Sequence, residues 1–164
     1  MAQDISHHLI AILPRLRRFA LSLARRPDLA DDLVQISCEK ALANAASWTE
    51  GTRIDAWLFR ILRNSWIDQT RRRKTEGATE DVYTREDLVG VRGDTAIENL
   101  LTLQKVWEAI GRLPHEHREI LVLVCVEGLT YKEAADVLDL PVGTVMSRLA
   151  RARKKIMPLN GIDD

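Results

Sequence analysis

Apolar residues recur with the 3.6-residue period of an α-helix along most of the chain. The pattern predicts helices from Asp4 to Leu23, from Leu29 to Ala46 and from Ile54 to about Arg73, and a later helix that ends at Pro114. Pro14 interrupts the first of these helices, and we expect it to kink the helix or to divide it in two.

Several polar residues mark where helices should begin. Asp28 is predicted to cap the second helix. Three pairs have the spacing of a capping box, in which two side chains satisfy backbone donors at a helix start; these pairs are Thr52 with Asp55, Thr95 with Glu98, and Thr130 with Glu133.

The run from Ile120 to Val126 fits a buried strand by local rules, since its seven residues are all apolar and rich in valine. We nevertheless predict a helix, because no neighbouring segment offers a partner strand. Gly128 should end that helix.

The stretch from Leu129 to Lys155 predicts a helix-turn-helix. A short helix from Tyr131 to Leu138 leads to Asp139, which tolerates a left-handed turn, and to Pro141, which suits the start of a helix. The predicted buried positions of the second helix are Val142, Val145, Leu149, Ala152 and Ile156. Its other side carries basic residues and no acid, which favours DNA binding over the alternative of a solvated basic face.

The predicted fold is therefore all-α, with two small helical bundles joined by a flexible acidic linker. Residues 1–74 would form the N-terminal domain, 75–94 the linker, and 95–164 the C-terminal domain with its helix-turn-helix. The linker assignment rests on acidic composition, three glycines and the absence of sustained periodicity.

The charge distribution changes what the composition implies. The 24 basic and 24 acidic residues give a formal net charge of zero, which taken alone argues against a nucleic-acid partner. The charges are segregated, however: residues 53–74 hold seven basic residues and two acids, whereas 75–104 hold seven acids and two basic residues. Such segregation indicates two segments that face phosphate.

Aromatic residues accompany the basic helix after Ile54. Arginines among aromatic side chains suit single-stranded nucleic acid, because the guanidinium groups can pair with phosphates and the rings can stack on unpaired bases. A tryptophan at helical spacing is more often part of a core, so Trp57 is predicted to be structural. Trp48, in the preceding loop, is the better candidate to stack on a base, with a structural role as the open alternative.

Signs of an enzyme are weak. His115 and His117 are predicted to lie in water near a helix start, and no histidine, cysteine or acid cluster has metal-ligand spacing. Cys38 and Cys125 are predicted to be buried, reduced thiols. We expect no catalytic residues, no metal and no cofactor. The absence of a signal or membrane-spanning pattern predicts a cytoplasmic protein.

Three motifs in order resemble the extracytoplasmic-function (ECF) sigma factors, which are compact bacterial transcription initiation factors. They are DDLVQ at 31–35, AWLFRILRNSWID at 56–68 and LTYKEAADVLDLPVGTVMSRLARAR at 129–153. The general-stress-response members are the most similar in the N-terminal half. The resemblance implies that the partners are core RNA polymerase, promoter DNA and an anti-sigma factor.

The resemblance also implies roles for individual residues. Core polymerase would bind Asp31, Asp32, Leu33 and Gln35. The minus-ten promoter element would meet Trp48, Arg60, Arg63, Asn64 and Arg71, with Trp48 and Asn64 forming a pocket for a flipped base. The minus-thirty-five element would meet Thr144, Met146, Ser147, Arg148, Arg151 and Arg153.

The sequence departs from the family pattern at a few positions, which leaves alternatives open. Met146 stands where a basic residue is frequent, Ala150 where a larger one is common, Ile36 where an acid is frequent, and Cys38 where an aromatic is frequent. A sigma-like decoy that sequesters an anti-sigma factor could tolerate such losses. A dimeric helix-turn-helix repressor is another reading, although it gives the Arg- and Trp-rich helix no role.

Overall fold

The computed structural model describes residues 2–77 and 97–156, with side chains from 4 to 77 and from 103 to 156, and this part of the chain is all-α. The N-terminal half consists of α1 (Ala2–Ala24), α2 (Pro27–Ala43), a 3₁₀ turn (Ala45–Ser47) and α3 (Ile54–Thr75). The C-terminal half consists of α4 (Ile97–Arg112), α5 (His115–Leu121), a π-helical turn (Val122–Val126), α6 (Tyr131–Leu138) and α7 (Val142–Ile156). The all-α prediction and the two groups of helices are confirmed. Most of the predicted linker, and the predicted capping box of Thr95 and Glu98, lie outside the described residues or side chains.

Helix α1 is undivided, so one of the two effects expected of Pro14 does not occur. Pro14 cannot donate to the carbonyl of Ile10, four residues earlier. Both residues lie on the exposed side of α1, where water can satisfy that carbonyl. The opposite side packs on α2 and α3, and the rings of Phe19 and Phe59 meet edge to face at 5.4 Å between centroids.

One predicted helix start and two predicted caps are wrong, although α3 begins at Ile54 as predicted. Helix α2 begins at Pro27 rather than Leu29, and Asp28 lies in its first turn, where its carboxylate pairs with Arg26 at 2.9 Å. At α3 the residue before the helix is Arg53, and no side chain caps it. The carboxylate of Asp55 accepts from arginines instead of completing a capping box with Thr52.

The valine-rich run is helical, as predicted. α5 continues into a π-helical turn, in which the N–H of Glu127 donates to the carbonyl of Val122 at 2.9 Å. Residues 120–123 are buried, whereas Cys125 is exposed, so its predicted burial is wrong. The apolar run is longer than the core that covers it, and helical rotation turns its last residues outward. Gly128, at φ +73°, then ends the segment.

The helix-turn-helix has the predicted local geometry. Thr130 Oγ1 accepts from the N–H of Glu133 at 3.1 Å, and Glu133 Oε1 accepts from the N–H of Thr130 at 2.9 Å. Asp139 is left-handed, with φ 54°. The buried stripe of α7 is Val145, Leu149 and Ala152, with Ile156 half-buried. Val142 is 40% exposed, contrary to prediction, because the first turn of α7 begins before the core.

The two halves pack against each other. α1 contacts α5 and the π-helical turn, and α3 contacts α6. Buried apolar residues of both halves form a single cluster. No helix in the described residues is long and apolar enough to cross a membrane.

Candidate nucleic-acid and polymerase interfaces

The exposed side of α7 carries the predicted minus-thirty-five residues. Met146, Ser147, Arg151 and Arg153 are exposed, whereas Thr144 and Arg148 are half-buried. The buried stripe described above fixes the helix from beneath, so these side chains project together. The described residues of α7 include no acid, and Arg148 lies 3.9 Å from the carboxylate of Glu116 on α5. The arrangement is a basic helix surface that can enter a groove lined with phosphates.

Helix α3 presents a second basic surface. Arg60, Asn64 and Arg71 are exposed, and their spacing places them along one side of the helix. Three consecutive basic residues, Arg72 to Lys74, extend it to the end of the helix. The surface can therefore follow a nucleic-acid backbone with an amide group among the charges.

Arg63, which was assigned to the same surface, faces the C-terminal half. Its Nε donates to Glu119 Oε2 at 3.0 Å, and its Nη1 donates to the carbonyl of Leu138 at 3.2 Å. The Arg63 side chain is only 16% exposed and that of Glu119 is 2% exposed. In this arrangement of the two halves, the guanidinium group of Arg63 is hydrogen-bonded to the C-terminal half of the same chain.

Trp48 follows the 3₁₀ turn and is half-buried against the core. Its ring is tilted against that of His8 on α1, with 6.1 Å between centroids. The indole N–H is shielded from solvent and has no hydrogen-bond partner. Because a buried indole N–H usually finds an acceptor, this donor is available to a ligand that displaces neighbouring side chains.

Three of the four predicted polymerase-binding residues are exposed on α2, and the fourth is buried beneath them. Asp32 and Gln35 are exposed on α2, and so is Asp31, which pairs with Arg17 at 3.0 Å. Leu33 is fully buried and packs in the core. The helix therefore offers two carboxylates and an amide outward, while Leu33 fixes its orientation.

The comparisons with known proteins cover both halves. The Sigma-70 region 2 family model matches residues 9–76, and the Sigma-70, region 4 model matches residues 103–156. The ECF RNA polymerase sigma factor EcfG of Rhodopseudomonas palustris (strain TIE-1) is 37% identical over 163 residues, which are 99% of this chain and 88% of that protein. The chain belongs to the ECF sigma factors.

Other members of the family extend the comparison. The ECF RNA polymerase sigma factor SigM of Bacillus subtilis (strain 168) is 30% identical over 153 residues, with 90% of each chain covered. Among solved structures, the sigma factor RpoE in complex with the anti-sigma factor NepR, from Bartonella quintana, superposes with a TM-score of 0.82. That RpoE is 32% identical, and the superposition covers 99% of both chains.

Sequence reasoning missed the arginines that join the two halves of this sigma factor. Arg15 and Arg18 of α1 donate to Glu127 at 2.8 and 2.7 Å, and Arg53 donates to Glu133 at 3.0 Å. The one available signal was Glu127 itself, an acid that directly follows a long apolar run. Such a position is buried by its neighbours and requires a cationic partner.

Sequence reasoning was also wrong about His117, which is 8% exposed beneath α7. Burial lowers the pKa of His117, and the positive charges of Lys155, Arg151 and Arg148 lower it further. His117 Nδ1 has no hydrogen-bond partner. His115 is exposed as predicted, and its Nε2 lies 3.6 Å from Glu119 Oε2. Within the described residues no cluster of histidine, cysteine or acid has the arrangement of a metal site.

Proposed function

We propose that this sigma factor binds core RNA polymerase through α2, engages the minus-ten element through α3 and the minus-thirty-five element through α7, and so starts transcription at specific promoters. The observation that carries the proposal is that two exposed basic helix surfaces lie in different halves of one chain. A single DNA-binding surface would suffice for a repressor. The domain boundaries at 74 and 95 are part of the proposal.

The surface of α7 suits double-stranded DNA. A helix supported along one side can lie in the major groove, where charged residues on its flanks hold phosphates and fix its register. Arg151 is exposed in the centre of this surface, and its guanidinium group can donate two hydrogen bonds to the edge of a guanine. Met146, 51% exposed, offers an apolar contact instead of a charge.

The surface of α3 suits the opened strand of the minus-ten element. A base can be read on its hydrogen-bonding edge only after it leaves the stack. The amide of Asn64 can donate to and accept from such an edge, and Arg60 and Arg71 can hold the backbone on either side. Trp48 contributes its ring and its unpartnered N–H to the same pocket once His8 moves aside.

Polymerase binding and inhibition complete the proposed cycle. The carboxylates of Asp31 and Asp32 favour a basic partner surface on polymerase, with Gln35 adding an amide and Leu33 supporting the helix. An anti-sigma factor, as NepR is to the RpoE of Bartonella quintana, would hold the protein inactive. Because its partners are polymerase and DNA, we place its action in the cytoplasm.

The test combines two measurements on purified full-length protein. Core RNA polymerase is first captured on the immobilised protein, and run-off transcription is then measured on genomic promoter fragments. The Arg151→Ala variant should bind polymerase but lose transcription, whereas Lys105→Ala, which removes an exposed charge from α4, should retain both. Failure of the folded wild-type protein to bind polymerase would refute the proposed function and favour the decoy. Polymerase binding without initiation would show that the protein does not start transcription on the fragments tested.

A further inference from the structure

Four arginines of the N-terminal half contact three glutamates of the C-terminal half. We name this set the arginine clasp: Arg15, Arg18, Arg53 and Arg63 with Glu119, Glu127 and Glu133. The paired residues lie 56–112 positions apart in the chain. The clasp joins α1 and α3 to α5, to α6 and to the segment that follows the π-helical turn.

Glu127 is the central acceptor of the clasp. Its side chain is fully buried, and its two carboxylate oxygens accept from Arg15 Nε and Arg18 Nε at 2.8 and 2.7 Å. Arg15 Nη2 also donates to the main-chain carbonyl of Glu127 at 3.0 Å. A carboxylate out of contact with water is costly unless cations pair with it. The carboxylate of Glu127 therefore keeps these cationic partners only while the N-terminal half is packed against the C-terminal half.

Two of these arginines also donate to main-chain carbonyls of the C-terminal half, one of them at a helix end. Arg63 donates to the carbonyl of Leu138, the last residue of α6, and Arg53 donates to the carbonyl of Gly128 at 3.2 Å. Carbonyls at a helix C-terminus lack partners within the helix and carry partial negative charge. Arginines of the N-terminal half thus bind carboxylates of the C-terminal half and the carbonyl at the end of α6.

Asp55 positions two of these arginines from within the N-terminal half. It accepts from Arg15 at 3.0 Å and from Arg53 at 2.6 Å. Burial raises the pKa of Asp55, but the hydrogen bonds from Arg53 and Arg15 lower it by more, so the carboxylate stays ionised at neutral pH. The two guanidinium groups are thereby held in the direction of Glu127 and Glu133.

We propose that the arginine clasp is an autoinhibitory contact, which holds the two halves closed in the absence of any partner and withdraws Arg63 from DNA. Glu119 occupies the guanidinium of Arg63 through both oxygens, at 3.0 and 3.4 Å, in the side-on geometry that a phosphate would use. Polymerase or promoter DNA must displace these carboxylates for the protein to open. The withdrawal of Arg63 from DNA rests on the proposed function, whereas the closure of the two halves does not.

The closure is tested on the protein alone by single-molecule FRET. Dyes are attached at Leu42→Cys on α2 and Lys154→Cys on α7, both exposed sites, in a chain that also carries Cys38→Ala and Cys125→Ser. Wild-type clasp residues should give one high-transfer population. Glu127→Gln should raise the ratio of open to closed molecules by about tenfold or more, because it leaves two arginines facing a neutral group.

Matched variants decide the outcome. Arg63→Gln should also open the protein, while Asp136→Asn and Arg72→Gln, which remove exposed charges outside the clasp, should leave the wild-type distribution. Far-UV circular dichroism establishes that each variant is folded. An open wild-type protein, or folded Glu127→Gln and Arg63→Gln variants that stay closed, would refute the clasp. Neither result bears on polymerase capture, which tests the proposed function separately.

Discussion

Arg63 of α3 and Glu119 of α5 form a side-on ion pair, with 3.0 Å between Nε and Oε2, at a site almost closed to water. The arginine lies on the helix that carries one basic surface, and the glutamate belongs to the half that carries the other. Two residues that the chain separates by 56 positions thus decide whether α3 offers all of its charge outward.

The Arg63–Glu119 pair should show strong energetic coupling. In a double-mutant cycle of Arg63→Gln and Glu119→Gln, we expect about 1–3 kcal/mol of coupling in the free energy of unfolding, since each single change leaves a shielded charge without its partner. Denaturant unfolding of the four proteins gives the value. A cycle of the same design on Arg17 and Asp31, an exposed pair, should give less than about 1 kcal/mol. Equal coupling energies in both cycles would contradict the claim that burial strengthens the Arg63–Glu119 pair.

Arg151 should contribute to binding of the minus-thirty-five element. Arg151→Ala should weaken binding to a cognate duplex by about 1–3 kcal/mol if its guanidinium reads a base. Fluorescence anisotropy at fixed salt measures the change, with Lys105→Ala as the control for lost charge. If Arg151→Ala loses the same affinity on unrelated DNA, the residue contacts phosphate rather than a base.

The sequence predicted the local features of the fold better than its contacts between distant segments. The periodicity located α1 to α3, and Thr130, Glu133 and Asp139 have the capping and turn geometry expected of them. These features depend on neighbours within one turn of a helix. Thr52 and Asp55 have a similar spacing, yet Asp55 bonds to Arg15, forty residues away, because a cation is a stronger partner than a backbone N–H.

The same distinction explains what was missed in the candidate sites. Arg63 is adjacent to the core residue Leu62, and no local pattern reveals that the C-terminal half covers it. His117 has polar neighbours on both sides in sequence, but α7 packs over it. Exposure of Arg60, Asn64 and Arg151 followed from periodicity, since these residues lie opposite the apolar stripes. Their roles in DNA binding remain predictions.

His117 should make the protein less stable in mild acid. Because its pKa in the folded protein is lowered, the unfolded chain takes up a proton first, and stability falls as the pH drops below the ordinary histidine value of about 6.5. His117→Gln should reduce this loss, measured as the difference in free energy of unfolding between pH 7.5 and pH 5.5. His115, although exposed at its edge, also has a lowered pKa, because its ring is partly desolvated and Arg118 and Arg63 lie near it, so part of the loss should persist. The control is His7→Gln on the exposed side of α1, and an unchanged loss in His117→Gln would refute the assignment.

Asn64 should separate promoter opening from polymerase binding. It is exposed on α3 between Arg60 and Arg71, where its amide can meet the edge of a base that has left the stack. Asn64→Ala should therefore slow opening of the minus-ten element, followed by permanganate reactivity of unpaired thymines, while capture of core polymerase is unchanged. Gln69→Ala provides a control, because it removes an amide from the same helix at a half-buried position. Equal loss of polymerase capture and opening in Asn64→Ala would place the residue in a structural role, and normal opening would remove it from the base pocket.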